Sequence, residues 1–145
     1  MARYTNKIDA KGRIFVPAKV RDKLGSCVHI TISLDSGYLS VYAQERFEHI
    51  YDQLTAMNGM DEKARKATRL ILGNEMECEL DAQGRITISS ELWESIGAKP
   101  ADMVCIYHMG DKLDICTKAF FESESKEELS EIRSLDLSEF NVTGL

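Results

Sequence analysis

Asp9 to Gly25 reads DAKGRIFVPAKVRDKLG, and Asp81 to Gly97, 72 residues later, reads DAQGRITISSELWESIG. Asp9/Asp81, Ala10/Ala82, Gly12/Gly84, Arg13/Arg85, Ile14/Ile86 and Gly25/Gly97 are identical, and Val16/Ile88, Val20/Leu92 and Leu24/Ile96 stay apolar. Six identities and three apolar matches in seventeen positions mark an internal duplication, which has to be read before any other feature. Each copy opens with turn chemistry: Asp bonds backbone two residues on, and Gly supplies positive φ. In Arg13-Ile14-Phe15-Val16, alternation puts Ile14 and Val16 on one face of a strand and Arg13 and Phe15 on the other. Pro17 fits the first position of a short helix, where its missing N–H costs nothing. Val20 and Leu24 form that helix's apolar face, and Gly25 is its C-terminal cap. In the second copy Ser89 and Ser90 supply N-cap chemistry instead.

The echo continues at an offset of 74. Gly37-Tyr38-Leu39-Ser40-Val41-Tyr42 matches Asp111-Lys112-Leu113-Asp114-Ile115-Cys116, and Phe47 matches Phe121. Both halves therefore carry a later hairpin, turned at Ser36-Gly37 and Gly110-Asp111. A unit of about seventy residues rarely buries a sufficient core alone, so the two must share one, with each other or across subunits.

Around the repeats the chain reads in order. Residues 1–8 are a polar strand, mirrored by Glu75 to Leu80. Val28, Ile30 and Ile32 alternate on one face, with His29 opposite as a surface residue. Gln44 to Met57 switches to helical period through Phe47, Ile50, Tyr51 and Leu54, and Asn58-Gly59 breaks it. Asp61 caps a second helix to about Leu72, flanked by Lys63, Arg65, Lys66 and Arg69 on a solvated face. Met103 to His108 and Lys112 to Cys116 are strands. Ser125-Lys-Glu-Glu128 is a capping box that opens a final helix, and the last ten residues, lacking periodicity, are expected to be mobile.

Composition sets bounds. Hydrophobic content of 43% with 29% charged residues describes a globular chain rather than a disordered one. No apolar run approaches membrane-spanning length and no signal peptide is visible, so a cytoplasmic location is expected. Cys27, Cys78, Cys105 and Cys116 form no C-x-x-C pair, so they read as reduced, half-buried strand residues. Cys105 and Cys116 are expected to face each other across the second hairpin. Cys105 and His108 point to opposite faces of one strand, so no metal site and no cofactor is expected.

The net charge is −6, but its distribution is uneven. Residues 1–25 hold seven Lys or Arg against two Asp, a balance of +5. Residues 119–145 hold two basic against seven acidic side chains, a balance of −5. Residues 81–97 hold Arg85 against Asp81, Glu91 and Glu94, a balance of −2. Duplicated units of opposite charge are expected to have divided the labour, the first copy binding DNA and the second serving mainly assembly.

The paired D-x-x-G-R-hydrophobic-x-hydrophobic motifs at this spacing resemble the MraZ family, and each half resembles the swapped-hairpin unit of the AbrB/SpoVT group of bacterial DNA-binding proteins. Arg65-x-x-x-Arg69 and Glu75-x-Glu77-x-Glu79 extend the resemblance over nearly the whole chain. It implies a mainly β fold with short helices, a double-split β-barrel built from both repeats, with a helical linker and a C-terminal helix. It also implies ring-like homo-oligomers acting as nucleoid-associated transcriptional regulators at repeated DNA sites upstream of the division and cell-wall gene cluster. The family's DNA-contacting motif falls on Lys11, Gly12 and Arg13; Arg3 joins them on charge and proximity. The chain departs from the family at Ser89, where a proline is usual, at Trp93, where an arginine is common, and in lacking an aromatic-glycine start.

The expected organisation is a DNA-binding repeat over 1–52, a linker over 53–73, a second repeat over 74–122 and an acidic helix and tail over 123–145. In the second repeat Asp81, Gly84 and Arg85 serve the turn, as Asp9 does in the first; Arg13 either contacts DNA or ion-pairs with Asp9. Arg21 and Lys23 are read equally well as solvated. Two rivals stand beside this reading: an antitoxin-like DNA-binding module, and a structural ring with no DNA role. No nucleophile elbow, phosphate-binding glycine loop or histidine pairing suggests an enzyme.

Overall fold

The computed structural model describes residues 3–57, 59–135 and 137–144. Met1 and Ala2 of the expected first strand, the helix-breaking Asn58, and Asp136 and Leu145 of the tail lie outside the described residues. The strands are β1 (Arg3–Lys7), β2 (Arg13–Phe15), β3 (Cys27–Ile32), β4 (Leu39–Ala43), β5 (Met76–Glu79), β6 (Arg85–Thr87), β7 (Met103–His108) and β8 (Lys112–Thr117). The helices are α1 (Ala18–Leu24), α2 (Gln44–Thr55), α3 (Glu62–Gly73), α4 (Ser90–Ser95) and α5 (Lys118–Arg133).

Two antiparallel sheets follow from the duplication. One has the order β1-β7-β8-β4-β3-β5, the other is the pair β2-β6. Each repeat hands its first strand to the other: β1 pairs with β7, and β5 pairs with β3. The order therefore reads the same from either edge, with β4 and β8 at the centre. Equivalent residues meet on the local two-fold, Ser40 opposite Asp114 and Ile14 opposite Ile86. The Ser40 hydroxyl donates to the buried Asp114 carboxylate at 3.3 Å, and Lys112 reaches the same oxygen at 3.1 Å. A buried carboxylate is kept by such partners.

The two repeats share one core. Ile14, Val16, Val28, Ile30, Leu39 and Val41 of the first pack with Ile86, Ile88, Trp93, Val104, Leu113 and Ile115 of the second, each at most 1% exposed. The alternation read in the repeats is realised: Ile14 and Val16 are buried while Phe15 is 45% exposed. Gly25 caps α1 with φ 77°, and the Ser89 hydroxyl accepts from the Leu92 N–H at the start of α4. Cys105 and Cys116 are register partners on β7 and β8, and both are free and buried rather than half-buried.

Several expectations are corrected. The fold is mixed α/β rather than mainly β with short helices, since α2, α3 and α5 run 12, 12 and 16 residues. The final helix starts at Lys118, capped by the Thr117 hydroxyl accepting from the Phe120 N–H, so Ser125 lies inside it and opens nothing. The 74-residue offset carried that signal, because it maps Gln44, where α2 begins, onto Lys118. Pro17 is the N-cap residue of α1, one position earlier than expected. Leu137–Phe140 form a 3-10 turn within the stretch expected to lack structure. His29 is buried, not on the surface: α2 covers it, and its ring stacks on Phe47 at a centroid distance of 4.5 Å. Alternation gives a residue's side of a sheet, but not what covers that side.

A shared core makes the repeats unfold together. Leu113→Ala, in the second repeat, should cost about 2–5 kcal/mol. In urea it should keep a single transition, with Trp93 fluorescence and far-ultraviolet dichroism coinciding. Separate transitions for the two signals would contradict a common core.

Candidate nucleic-acid interface

The two turns are near-copies in atomic detail. Asp9 accepts from the Lys11 N–H at 2.9 Å, the Arg13 N–H at 2.8 Å and Arg13 Nε at 2.7 Å. Asp81 accepts from the Gln83 N–H at 2.9 Å, the Arg85 N–H at 2.9 Å and Arg85 Nε at 2.7 Å. The Arg13 backbone N–H, then its guanidinium and the Lys11 N–H, hold the Asp9 carboxyl below its ordinary value; Arg85 and Gln83 do the same at Asp81. Each ion pair runs through Nε, so the outer guanidinium nitrogens lie outside it. The Asp thus fixes the direction of the arginine without using its fork.

Each turn also rests on the other repeat. Gly12 is buried at φ 79°, and its carbonyl accepts from the Trp93 indole N–H at 3.0 Å and the Ile88 N–H at 3.1 Å. A Cβ at Gly12 would lie 2.8 Å from the Ile88 carbonyl oxygen, so backbone closes the space as well as φ. Arg21, the residue equivalent to Trp93, performs the reciprocal task. Its Nε donates to the Val16 carbonyl at 2.9 Å, its Nη2 to the Gln83 carbonyl at 3.4 Å, and its guanidinium covers Gly84. The reading of Arg21 as a solvated residue is corrected. The signal was available in the repeat alignment, where both residues stand at the same position on the helix after the turn.

Between the turns, β2 and β6 form a short ribbon with Arg13 opposite Thr87 and Phe15 opposite Arg85. The ribbon's outer face carries Arg13, Phe15, Arg85 and Thr87, with Arg85 above the Phe15 ring at 5.8 Å. Lys11 is exposed at the tip of the first turn, where the second turn has the neutral Gln83. The structure therefore brings Lys11, Gly12 and Arg13 together. Arg3 stands at the far end of β1 from the turn, about 3.3 Å of chain per residue away. It lies 4.3 Å from the centroid of the Phe121 ring on α5.

A family model described as "MraZ protein, putative antitoxin-like" matches twice, at residues 1–70 and 71–136. The chain belongs to the MraZ family. The protein named "Transcriptional regulator MraZ" in Lachnoclostridium phytofermentans is 38% identical over 143 residues, covering 99% of this chain and 98% of that one. Its namesake in Caldanaerobacter subterraneus subsp. tengcongensis is 35% identical, covering 98% of this chain and 99% of its own. A solution structure of PHS018 from Pyrococcus horikoshii is 15% identical, covers 80% of this chain and 87% of its own, and has a TM-score of 0.32, too distant to bear on the fold. Among the described residues, no helix is long and apolar enough to cross a membrane.

The carboxylates make the turns acid-sensitive. Their folded pKa values lie below the ordinary aspartate value, so their stabilisation is complete above about pH 5 and is lost as pH falls through the folded pKa. Asp81→Asn should therefore lower the urea midpoint clearly at pH 6, with the gap to wild type narrowing towards pH 3. A gap that stayed constant over that range would show that the charge of Asp81 does not hold the turn.

Proposed function

We propose that this chain is a DNA-binding transcriptional regulator of the division and cell-wall gene cluster, with the first repeat contacting DNA and the second serving assembly. The observation that carries the reading is the contrast between two turns of one geometry. Over the seventeen matched residues the first copy carries +3 and presents Lys11, and the second carries −2 and presents Gln83. The relatives named transcriptional regulators support the regulatory role. A two-stranded ribbon fits the major groove, and the Arg13 fork, aimed by Asp9, can meet guanine O6 and N7 or clamp a phosphate. Lys11 acts as a phosphate contact.

The finer architecture belongs to the same proposal. The β2–β6 ribbon lies across the ends of the open six-stranded sheet: the Phe15 N–H donates to Asn6 Oδ1 at 3.2 Å, and the Thr87 N–H approaches Cys78 Sγ at 3.5 Å. These bridges support the double-split barrel. The helical linker exposes Leu70, and the far end exposes Leu34, Met109 and Ile132, apolar surface suited to a ring-like homo-oligomer. In this reading residues 1–52 bind DNA, 53–73 link, 74–122 assemble, and the acidic segment from 123 onward limits non-specific contact, in a cytoplasmic, nucleoid-associated protein. Few phosphates are reached per subunit and the body is acidic, so binding is multivalent on promoter repeats, gaining through effective concentration.

Arg13→Ala and Arg85→Ala separate scaffold from recognition. Both remove the same clamp and should lower stability alike. Only Arg13→Ala should weaken binding to a duplex with three promoter repeats, by about 1–3 kcal/mol per site. Lys11→Ala should flatten the salt dependence by about one phosphate's slope. Equal DNA affinity for all three variants, measured by fluorescence anisotropy on intact oligomers, would reject the assignment.

A further inference from the structure

We propose that Cys27, His29 and Glu77 form a zinc-binding site that ties the edge strand of the second repeat to the first. Cys27 and His29 lie two apart on β3, and Glu77, fifty residues on from Cys27, reaches them because β3 pairs with β5. In that register His29 lies opposite Glu77 and Cys27 opposite Glu79. Alternation sends Val28 and Ile30 into the core and turns Cys27 and His29 towards Glu77 on the other face. One ligand atom from each of Cys27, His29 and Glu77 lies within 4.8 Å of the others. A tetrahedral zinc ion, with bonds of about 2.0–2.3 Å, holds its ligands roughly 3.3–3.6 Å apart. Cys27 Sγ and Glu77 Oε1 are already 3.1 Å apart, so the contraction falls mainly on the histidine side.

The surroundings are those of a metal site. His29 Nδ1 is held by Glu75 Oε1 at 2.5 Å, which fixes that nitrogen as the donor and turns Nε2 to the cluster. Such carboxylate–histidine pairs orient metal-bound imidazoles. The ring plane is fixed a second time by its stack on Phe47, with 9° between the rings. Gln44 Oε1 stands between the other two donors, 2.5 Å from His29 Nε2 and 3.2 Å from Cys27 Sγ. It marks where a cation would lie or supplies the fourth ligand, and its Nε2 is already engaged by Glu48 at 2.7 Å. Sulfur, nitrogen and carboxylate oxygen together favour zinc over magnesium or calcium. Binding takes up Zn²⁺, forms Zn–S, Zn–N and Zn–O bonds, and releases the thiol proton and any Nε2 proton to solvent.

The consequence is mechanical. Strand β5 pairs only with β3 among the described residues, and β3 belongs to the other repeat. A metal bridging Cys27 and His29 of β3 to Glu77 of β5 fastens that edge where α3 turns into β5.

Metal-free full-length protein titrated with Co²⁺ should develop a thiolate-to-cobalt absorption band saturating at one ion per chain, and Zn²⁺ should displace it. Cys27→Ser should abolish the band, and Glu75→Gln should weaken binding about 10- to 100-fold. Cys78→Ser should leave it unchanged. Glu77→Gln, at an exposed position, tests the site without disturbing the fold and should also weaken binding. Zn²⁺ should raise the Tm of wild type but not of Cys27→Ser. No saturable one-to-one binding in wild type, or a band that survives in folded Cys27→Ser, would overturn the site.

Discussion

The hydrogen bond from the Trp93 indole to the buried Gly12 carbonyl, with its counterpart from Arg21 to the Gln83 carbonyl, is the constraint on which the rest of the molecule depends. Each repeat folds its own turn, but each turn is finished by a side chain from the other repeat. The same exchange occurs in the large sheet, where β1 and β5 cross over to pair with the opposite half. A unit of about seventy residues buries too little surface to pay for its own ordering. Exchange of strands and caps gives two such units a single core.

Symmetry then explains what is common to the two turns, and its breaking what sets them apart. The Asp, the Gly and the Arg are the same in both turns because backbone geometry demands them. The tip residues and flanking charges are free of that demand. Lys11 and Gln83 hold equivalent positions in the two turns, and the cap itself differs, an arginine for one turn and a tryptophan for the other. Trp93 sits at 1% exposure where a cation would have to be buried, so the replacement suits the packed side of the first turn.

Much of this was legible in the chain itself. The repeat at offset 72 gave both turns, the strands after them and the caps at Gly25 and Ser89, all local chemistry. What was misread depends on contacts between elements distant in sequence, or on one residue serving two elements. His29 alternates like a surface residue and is buried only because Phe47 of α2 lies on it. Cys27 and Glu77 are fifty residues apart and meet only through strand register. The start of α5, carried by the 74-residue offset, was overridden by the capping-box pattern at Ser125, which matched a helix already under way, while Thr117 both ends a strand and caps that helix. Arg3 was grouped with the turn by sequence distance, yet an extended strand carries it away to Phe121.

On the proposed reading, the two turns of one geometry have different partners. Amide hydrogen exchange, read by mass spectrometry on the full-length protein with and without a duplex carrying promoter repeats, decides whether they do. Peptides spanning 9–16 and 81–88 should exchange comparably in the free protein, and DNA should protect the first strongly and the second little. Equal protection of both, or protection confined to 81–88, would contradict the account.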